Sequence, residues 1–400
     1  MRIDLFHMER TQCLYENRVD FNLSESGVLP LRVEELLAGA DSTAKFLGLG
    51  LKYPESDGSP ELREHISAWY GAKAENVLVT NGGSEANFTT LWGVLEKGDH
   101  AAVMVPNYLQ TWGLSRAFAA KTTAFHLIER REKGAEPRWA LDRDGLRRAV
   151  TKKTRLMVVT NPNNPTGAVL TENEMQEVIA TAERANAWLL VDEIYRGAEI
   201  KGPLTPTFWG RYDKLIITSG LSKAFGLPGL RLGWIVAPAT LIAKLCRYHD
   251  YTTLTPTIVS DRLARIAMEP ARREQILERT RGIIRRNLPR LEAWIHAHGD
   301  RFSYIPPVAG AITFFRYKLP ISSAALFDRL IEERSVLITP GAHFGLGRYI
   351  RVGYGYDIDY TLRGLARVDL TLEELSQAEA KRKARATKPA AADSARRGAA

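Results

Sequence analysis

From about residue 45 to 285, short apolar runs alternate with longer stretches in which apolar positions recur every three or four residues. That alternation predicts βαβ layering, with parallel strands covered by helices. Thr154–Thr160 (TRLMVVT), Trp188–Val191 (WLLV) and Lys214–Thr218 (KLIIT) are nearly continuous in apolar character, as strands buried on both faces must be. Thr171 followed three residues later by Glu174 is a capping box, and it opens a helix running towards Ala185. Ser59-Pro60 marks another helix start, since proline fits the first helical position. The periodicity weakens towards both chain ends. The expected division is a large domain over 46–285, and a smaller α+β domain formed by 1–45 and 286–376 together. Residues 377–400 read as a disordered basic tail, and no internal repeat is visible.

Composition changes this picture little. Four hundred residues exceed one small core, which agrees with two lobes. A chain that is 45% hydrophobic and 25% charged has the makeup of an ordinary soluble protein. No run approaches the roughly 18 apolar residues of a membrane helix, and MRIDLFHMER lacks the unbroken apolar block of a secretion signal. A cytoplasmic location is therefore expected, with no membrane contact. Cys13 and Cys246 are far apart and read as idle thiols in a reducing compartment; no metal site is expected. The net charge of +9 suggests nucleic acid until it is located. From residue 381 onward lie seven basic residues and one acid, so the tail carries +6 and the remaining 380 residues +3. The body is nearly balanced, and no specific nucleic-acid partner is expected.

Each of the three strands named above leads into a polar motif. These are Asn161-Pro-Asn-Asn-Pro-Thr-Gly167, Val191-Asp-Glu-Ile-Tyr195, and Ser219-Gly-Leu-Ser-Lys-Ala-Phe-Gly-Leu-Pro-Gly-Leu-Arg-Leu-Gly233. Loops at the carboxyl ends of parallel strands form the ligand crevice of such sheets, so the three motifs can converge. A further turn, Asn81-Gly-Gly-Ser-Glu85, precedes an apolar helix and suits an anion.

In this order and near this spacing, the motifs resemble those of the class I/II aminotransferases, fold-type-I pyridoxal-phosphate (PLP) enzymes related to aspartate aminotransferase. The likeness runs over about residues 20–370. It implies an α/β fold with a mixed, mostly parallel sheet flanked by helices, PLP as cofactor, and a homodimer. Residue by residue, it implies that Lys223 is the Schiff-base lysine and Asp192 the partner of the pyridine nitrogen. Asn164 and Tyr195 would bond the phenolate oxygen. Gly83, Ser84, Ser222 and Arg231 would hold the phosphate, and Tyr108 would stack on the ring. Tyr53 would reach the neighbouring subunit's phosphate; Arg351, in Tyr349-Ile-Arg-Val-Gly353, would grip the substrate carboxylate beside Gly27.

The chemistry needs each of these types: a lysine to be displaced by the substrate amine, a buried carboxylate to keep the ring nitrogen protonated, and donors for phenolate and phosphate. Singly, each has a plainer reading. A lysine in a Ser/Gly loop is usually a surface group, NPTG is a turn, and Asp192-Glu193 is a charged strand end. Arg351 alone would be a structural ion-pair partner, and Tyr53 and Tyr108 packing aromatics. The combination is what carries the argument.

One position departs from the family pattern. Gly220 stands where a hydroxyl residue often contacts the phosphate, so Ser219 or a water takes that role, or the grip is weaker.

The expected activity is transfer of the amino group of an L-amino acid to a 2-oxo acid. The alternative is elimination, replacement or ring closure, as in aminocyclopropane-carboxylate synthase or capreomycidine synthase. Leu23-Ser-Glu-Ser-Gly-Val28 is similar to the pocket-lining segment of the latter. Glu25, Asp250 and Glu193 are candidates to meet a cationic side chain. A PLP-binding regulator would need a winged-helix domain ahead of the body, and the family pattern begins near residue 20.

Overall fold

The computed structural model describes residues 2–37 and 40–386. Its centre is an eight-stranded sheet in the order Val77–Thr80, Gly233–Val236, Leu215–Gly220, Trp188–Asp192, Thr154–Thr160, His100–Val105, Lys121–Arg130, Arg138–Leu141. The five strands from Leu215–Gly220 to Lys121–Arg130 pair in parallel. Gly233–Val236 and the edge strand Arg138–Leu141 run antiparallel to their neighbours.

The three predicted strands sit side by side in the middle, and alternate side chains go to opposite faces. Met157, Val159, Leu189 and Val191 join one apolar cluster, while Leu156, Val158 and Leu190 join another. All seven are fully buried, each contributing about 1.5–3 kcal/mol of apolar transfer free energy. This is why the runs read as continuously hydrophobic rather than alternating.

The chain ends meet around a second core. Phe21–Asn22 pairs in parallel with Val336–Leu337, which ties the N-terminal segment to the C-terminal part. Beside it stands an antiparallel sheet of Phe302–Tyr304, Ile312–Tyr317, Tyr349–Gly353 and Thr339–Pro340. No break separates this core from the first at residue 285. The helix Pro270–Ala297 runs straight through that position. It gives Ile276 and Leu277 to the main core, and Ile283, Ile284, Leu288 and Leu291 to the second. A single amphipathic stripe serves both cores, so no composition shift marks the change.

The last helix, Ile358–Ala386, also extends past the expected start of the tail at 377. Its sequence there, rich in Ala, Glu, Lys and Arg, favours helix even without apolar burial. Residues 387–400 of the expected tail lie outside the described residues. Among the described residues, no helix is long and apolar enough to cross a membrane.

Candidate active site

Strand register aligns the three motifs. Asp192 lies opposite Thr160 on one side and Thr218 on the other, so all three chains leave the sheet at one edge. A cavity of about 310 Å³ opens there, lined by Asn164, Asp192, Tyr195, Ser222, Lys223 and Arg231 among others.

Lys223 projects from the loop after Leu215–Gly220, and its Nζ lies 3.3 Å from Glu25 Oε1. Glu25 is in turn fixed by the backbone N–H groups of Ser26 (2.9 Å) and Gly27 (3.1 Å). The neighbouring ammonium, helped by these donors, outweighs partial burial and holds the Glu25 carboxyl down at about 2. Burial opposes charge on Lys223, yet Glu25 and Tyr195 more than offset it, and its pKa is raised. Gly27 stands close against this pair: a Cβ there would be 3.8 Å from Lys223 Cδ and 3.4 Å from the Ser222 carbonyl.

Asp192 ends its strand with one carboxylate oxygen accepting from Ile194 N (3.0 Å) and the other from Asn87 Nδ2 (3.2 Å). Asn87 is aimed by Thr218 Oγ1, which donates to its amide oxygen at 2.8 Å. Burial dominates these donors and pushes the Asp192 pKa up to about 6. Such a carboxylate needs a cation or a proton, and its two hydrogen-bond donors, Ile194 N and Asn87 Nδ2, are both neutral.

Tyr195 is 3% exposed, and its hydroxyl has no hydrogen-bond partner although the residue lines the cavity. Asn164 gives its amide oxygen to Arg351 Nη1 (2.9 Å), leaving its NH₂ to donate.

The anion end of the cavity is the start of the helix Gly83–Val94, whose first amides are unpaired donors. Gly82 precedes it at φ +91°, and a Cβ there would lie 2.7 Å from Arg231 Nη2. Only glycine lets the guanidinium approach so closely. Arg231 itself holds a left-handed conformation, φ 46°, strain of a kind that collects at functional sites. It donates to the Pro228 carbonyl (3.0 Å) and lies 3.4 Å from Ser222 Oγ. Ser84 also lines this end.

Arg351 is fully enclosed. It donates to Asn164, to the Ser24 carbonyl (2.5 Å) and to Thr339 Oγ1 (3.1 Å), while Nε has no partner. Burial lowers its pKa, which raises the demand for a facing anion.

Several expectations are placed differently. Ser219 does not replace a phosphate-binding hydroxyl, because it is buried and donates to the Glu193 carbonyl (3.3 Å). Gly220 has its own reason: a Cβ would meet the Leu232 carbonyl at 2.8 Å across the strand pair. Tyr53 is 81% exposed and lies outside the cavity of its own chain. Of the three carboxylates weighed for a cationic side chain, Glu25 alone lines the cavity. Glu193 is buried beneath the sheet end, accepting from Thr207 Oγ1 and Phe208 N.

The N-terminal helix His7–Tyr15 was not anticipated. With the residue after it, it places Met8, Glu9, Gln12, Cys13 and Glu16 on the cavity wall. Glu9 accepts from Tyr108 Oη at 2.9 Å, and Phe6 meets the Tyr108 ring edge-on at 4.9 Å. Glu9, Gln12, Cys13 and Glu16 recur at helical spacing, the one signal in the sequence that could have exposed this face. Asn87 was missed because nothing local distinguishes it from any other helix residue.

A buried carboxylate in need of a cation, an unpartnered phenol, and a helix start facing a guanidinium across bare glycine backbone together fit the ring nitrogen, phenolate and phosphate of one small aromatic group. Comparison with known proteins agrees. The model of the family described as aminotransferase class I and II matches residues 36–368. The chain belongs to that family. Capreomycidine synthase of Streptomyces vinaceus is 31% identical over 292 residues, 73% of either chain. Among solved structures, a PLP-dependent aminotransferase from Streptococcus suis 89-1591 superposes with a TM-score of 0.86 at 30% identity, over 94% of this chain and 99% of that one. The PLP-dependent cyclase OrfR superposes with a TM-score of 0.80 at 27% identity, over 92% and 97%. The fold is that of the fold-type-I aminotransferases, and pyridoxal 5'-phosphate is the cofactor.

Proposed function

We propose that this aminotransferase-family protein moves the amino group of an L-amino acid to a 2-oxo acid, and that Lys223 is the residue that holds the cofactor and carries the proton. The observation supporting this is the convergence of Lys223, Asp192, Tyr195, Asn164 and Arg351 on one cavity from four separate chain segments. When bound, pyridoxal phosphate supplies an aldehyde that links to amines and a ring that draws electrons from Cα. The chain's residues do the rest. Asp192 keeps the ring nitrogen protonated, Asn164 and Tyr195 donate to the phenolate, and Tyr108 covers the ring. Gly83, Ser84, Ser222 and Arg231 hold the phosphate. Arg351, planar and bidentate, orients the substrate by its α-carboxylate beside Gly27. That orientation fixes which Cα bond faces Lys223, so the arginine positions as well as binds.

In this reading the large domain spans 46–285, the smaller one 1–45 with 286–376, and the unit is a cytoplasmic homodimer to which each subunit's Tyr53 contributes across the interface. A second reading, elimination or ring closure, is favoured by the Glu25 carboxylate beside Lys223 and by the likeness to capreomycidine synthase and OrfR. Glu25 places a fixed negative charge 3.3 Å from the lysine that handles the proton.

The test is reduction of the cofactor-loaded protein with borohydride and peptide mapping, followed by product analysis by mass spectrometry. The label is expected on Lys223 and 2-oxo acid products from the amino acid. A label on another lysine overturns the site. A product with a replaced or cyclised side chain that keeps its amino group, or a 2-oxo acid that has lost its side-chain substituent with release of free ammonia, selects the second reading.

A further inference from the structure

The charges of the cavity do not balance for a neutral or acidic substrate. Its lining residues include three cations, Lys223, Arg231 and Arg351, and four carboxylates, Glu9, Glu16, Glu25 and Asp192. In the function proposed above, on which this inference rests, each cation is already committed. Arg231 faces the cofactor phosphate, Arg351 the substrate α-carboxylate, and Lys223 the cofactor's aldehyde. Asp192 is matched by the ring nitrogen. Glu9, Glu16 and Glu25 remain, and no other lysine or arginine lines the cavity among the described residues.

The three are arranged towards one space. Glu9 and Glu16 sit seven residues apart, two helical turns, on the same face as Gln12 and Cys13. That face is polar where the cover of an aromatic or aliphatic pocket would be apolar; Met8 is its only large apolar member. Glu9 is oriented by Tyr108 Oη, and Glu25 by two backbone amides. The turn carrying Glu25 also carries the Ser24 carbonyl that holds Arg351. A substrate gripped by Arg351 would therefore lie beside the turn that carries Glu25. The unpartnered Tyr195 hydroxyl and Arg351 Nε point to a polar ligand in this cavity; in the proposed function they serve the cofactor's phenolate and the substrate's carboxylate, and the three acids are left for the side chain. Both residues are almost fully buried.

We infer that the amino acid accepted here carries a cationic side chain, an amine or guanidine, received by Glu25 and by the acidic face of the N-terminal helix, Glu9 and Glu16. A side-chain carboxylate would meet three like charges, and an apolar side chain would leave those carboxylates desolvated without compensation.

The full-length, cofactor-loaded protein, with borohydride labelling of Lys223 as the check on loading, is titrated calorimetrically with L-arginine, L-ornithine, L-lysine, L-aspartate, L-leucine and L-phenylalanine. At least one of the three cationic amino acids is expected to bind about tenfold or more tightly than any of the other three. Added salt should erode that advantage. Glu16→Gln and Glu9→Gln should each reduce the ratio of cationic to L-leucine affinity, with Lys223 labelling as the check that the cofactor is still held. Glu25→Gln should reduce that ratio most. Equal or tighter binding of aspartate, leucine or phenylalanine with Lys223 labelled overturns this inference and leaves the cofactor reading standing. Absence of the Lys223 label overturns both.

Discussion

Asp192 and Glu193 are adjacent carboxylates, both raised by burial, to about 6 and about 7. What separates them is what each can reach. Asp192 opens into the cavity, whereas Glu193 is tied to Thr207 and Phe208 behind it. In the cofactor-free protein, Asp192 has a folded pKa above the ordinary 3.8. It therefore costs nothing below pH ~4, and stability is lost as pH rises from ~4 to ~6, by on the order of 3 kcal/mol. In the proposed function, bound cofactor would remove that cost by offering its protonated ring nitrogen to the carboxylate. Asp192→Asn is thus expected to make the cofactor-free protein more stable than wild type at pH 8 but not at pH 4, while turnover falls ~10²–10³-fold. Glu193→Gln should leave turnover within a few-fold. Thermal unfolding across that pH range, with steady-state rates, checks both; equal turnover in the two variants would falsify the ring-nitrogen role of Asp192.

The helix Glu172–Ala185 shows how an element signal readable in the sequence acquires a second use in the fold. Thr171 Oγ1 accepts from Glu174 N, and Glu174 Oε2 accepts from Thr171 N, so the capping box is closed. Glu174 also reaches the edge strand, accepting from Leu141 N (3.0 Å) and pairing with Arg138 (3.0 Å). Burial works against its charge, but Arg138 and the Thr171 and Leu141 amides win, and its pKa is lowered. That stabilisation is present above the ordinary value of 4.5 and is lost as pH falls below it. Thr171→Ala should cost about 1 kcal/mol. Glu174→Ala should cost about 3 kcal/mol, since it leaves a buried amide unpaired as well. Urea unfolding at pH 7 measures both, and the gap between the variants should shrink at pH 3.5. Neither residue lines the cavity, so activity per folded molecule should not change.

On the scale of the molecule, the most exposed large apolar side chains among the described residues are Leu47, Leu51 and Tyr53, each at least 77% exposed, and Tyr251 at 83%. Side chains so exposed would be covered in the proposed two-fold dimer, which would bring Tyr53 to the partner's cavity. Mixing a Tyr53→Phe protein with a Lys223→Ala protein would then give hybrid dimers with one doubly defective site and one intact site. Activity should reappear on mixing, after subunit exchange, and sedimentation should show a dimer. A fully active monomer would rule out the shared site.

The sequence by itself determined the layer order, the three central strands, the capping box and the loops that meet at the cavity. Strand burial and turn chemistry are local, and they leave their mark in periodicity and in residues such as Gly167 and Pro165. Three things were decided only by tertiary structure. The Pro270–Ala297 helix crosses the expected domain boundary because its one apolar stripe serves two cores. Ser219 turns away from the cavity because the Glu193 carbonyl, brought close only by sheet packing, claims its hydroxyl. Asn87 enters the cavity from a helix with no local mark, Glu9 and Glu16 share only a helical spacing that does not say where the helix docks, and Glu25, a candidate through its segment's likeness, is brought against Lys223 by packing. A contact between residues 198 positions apart, such as Glu25 with Lys223, is set by how helices and sheets pack, and no local spacing encodes it.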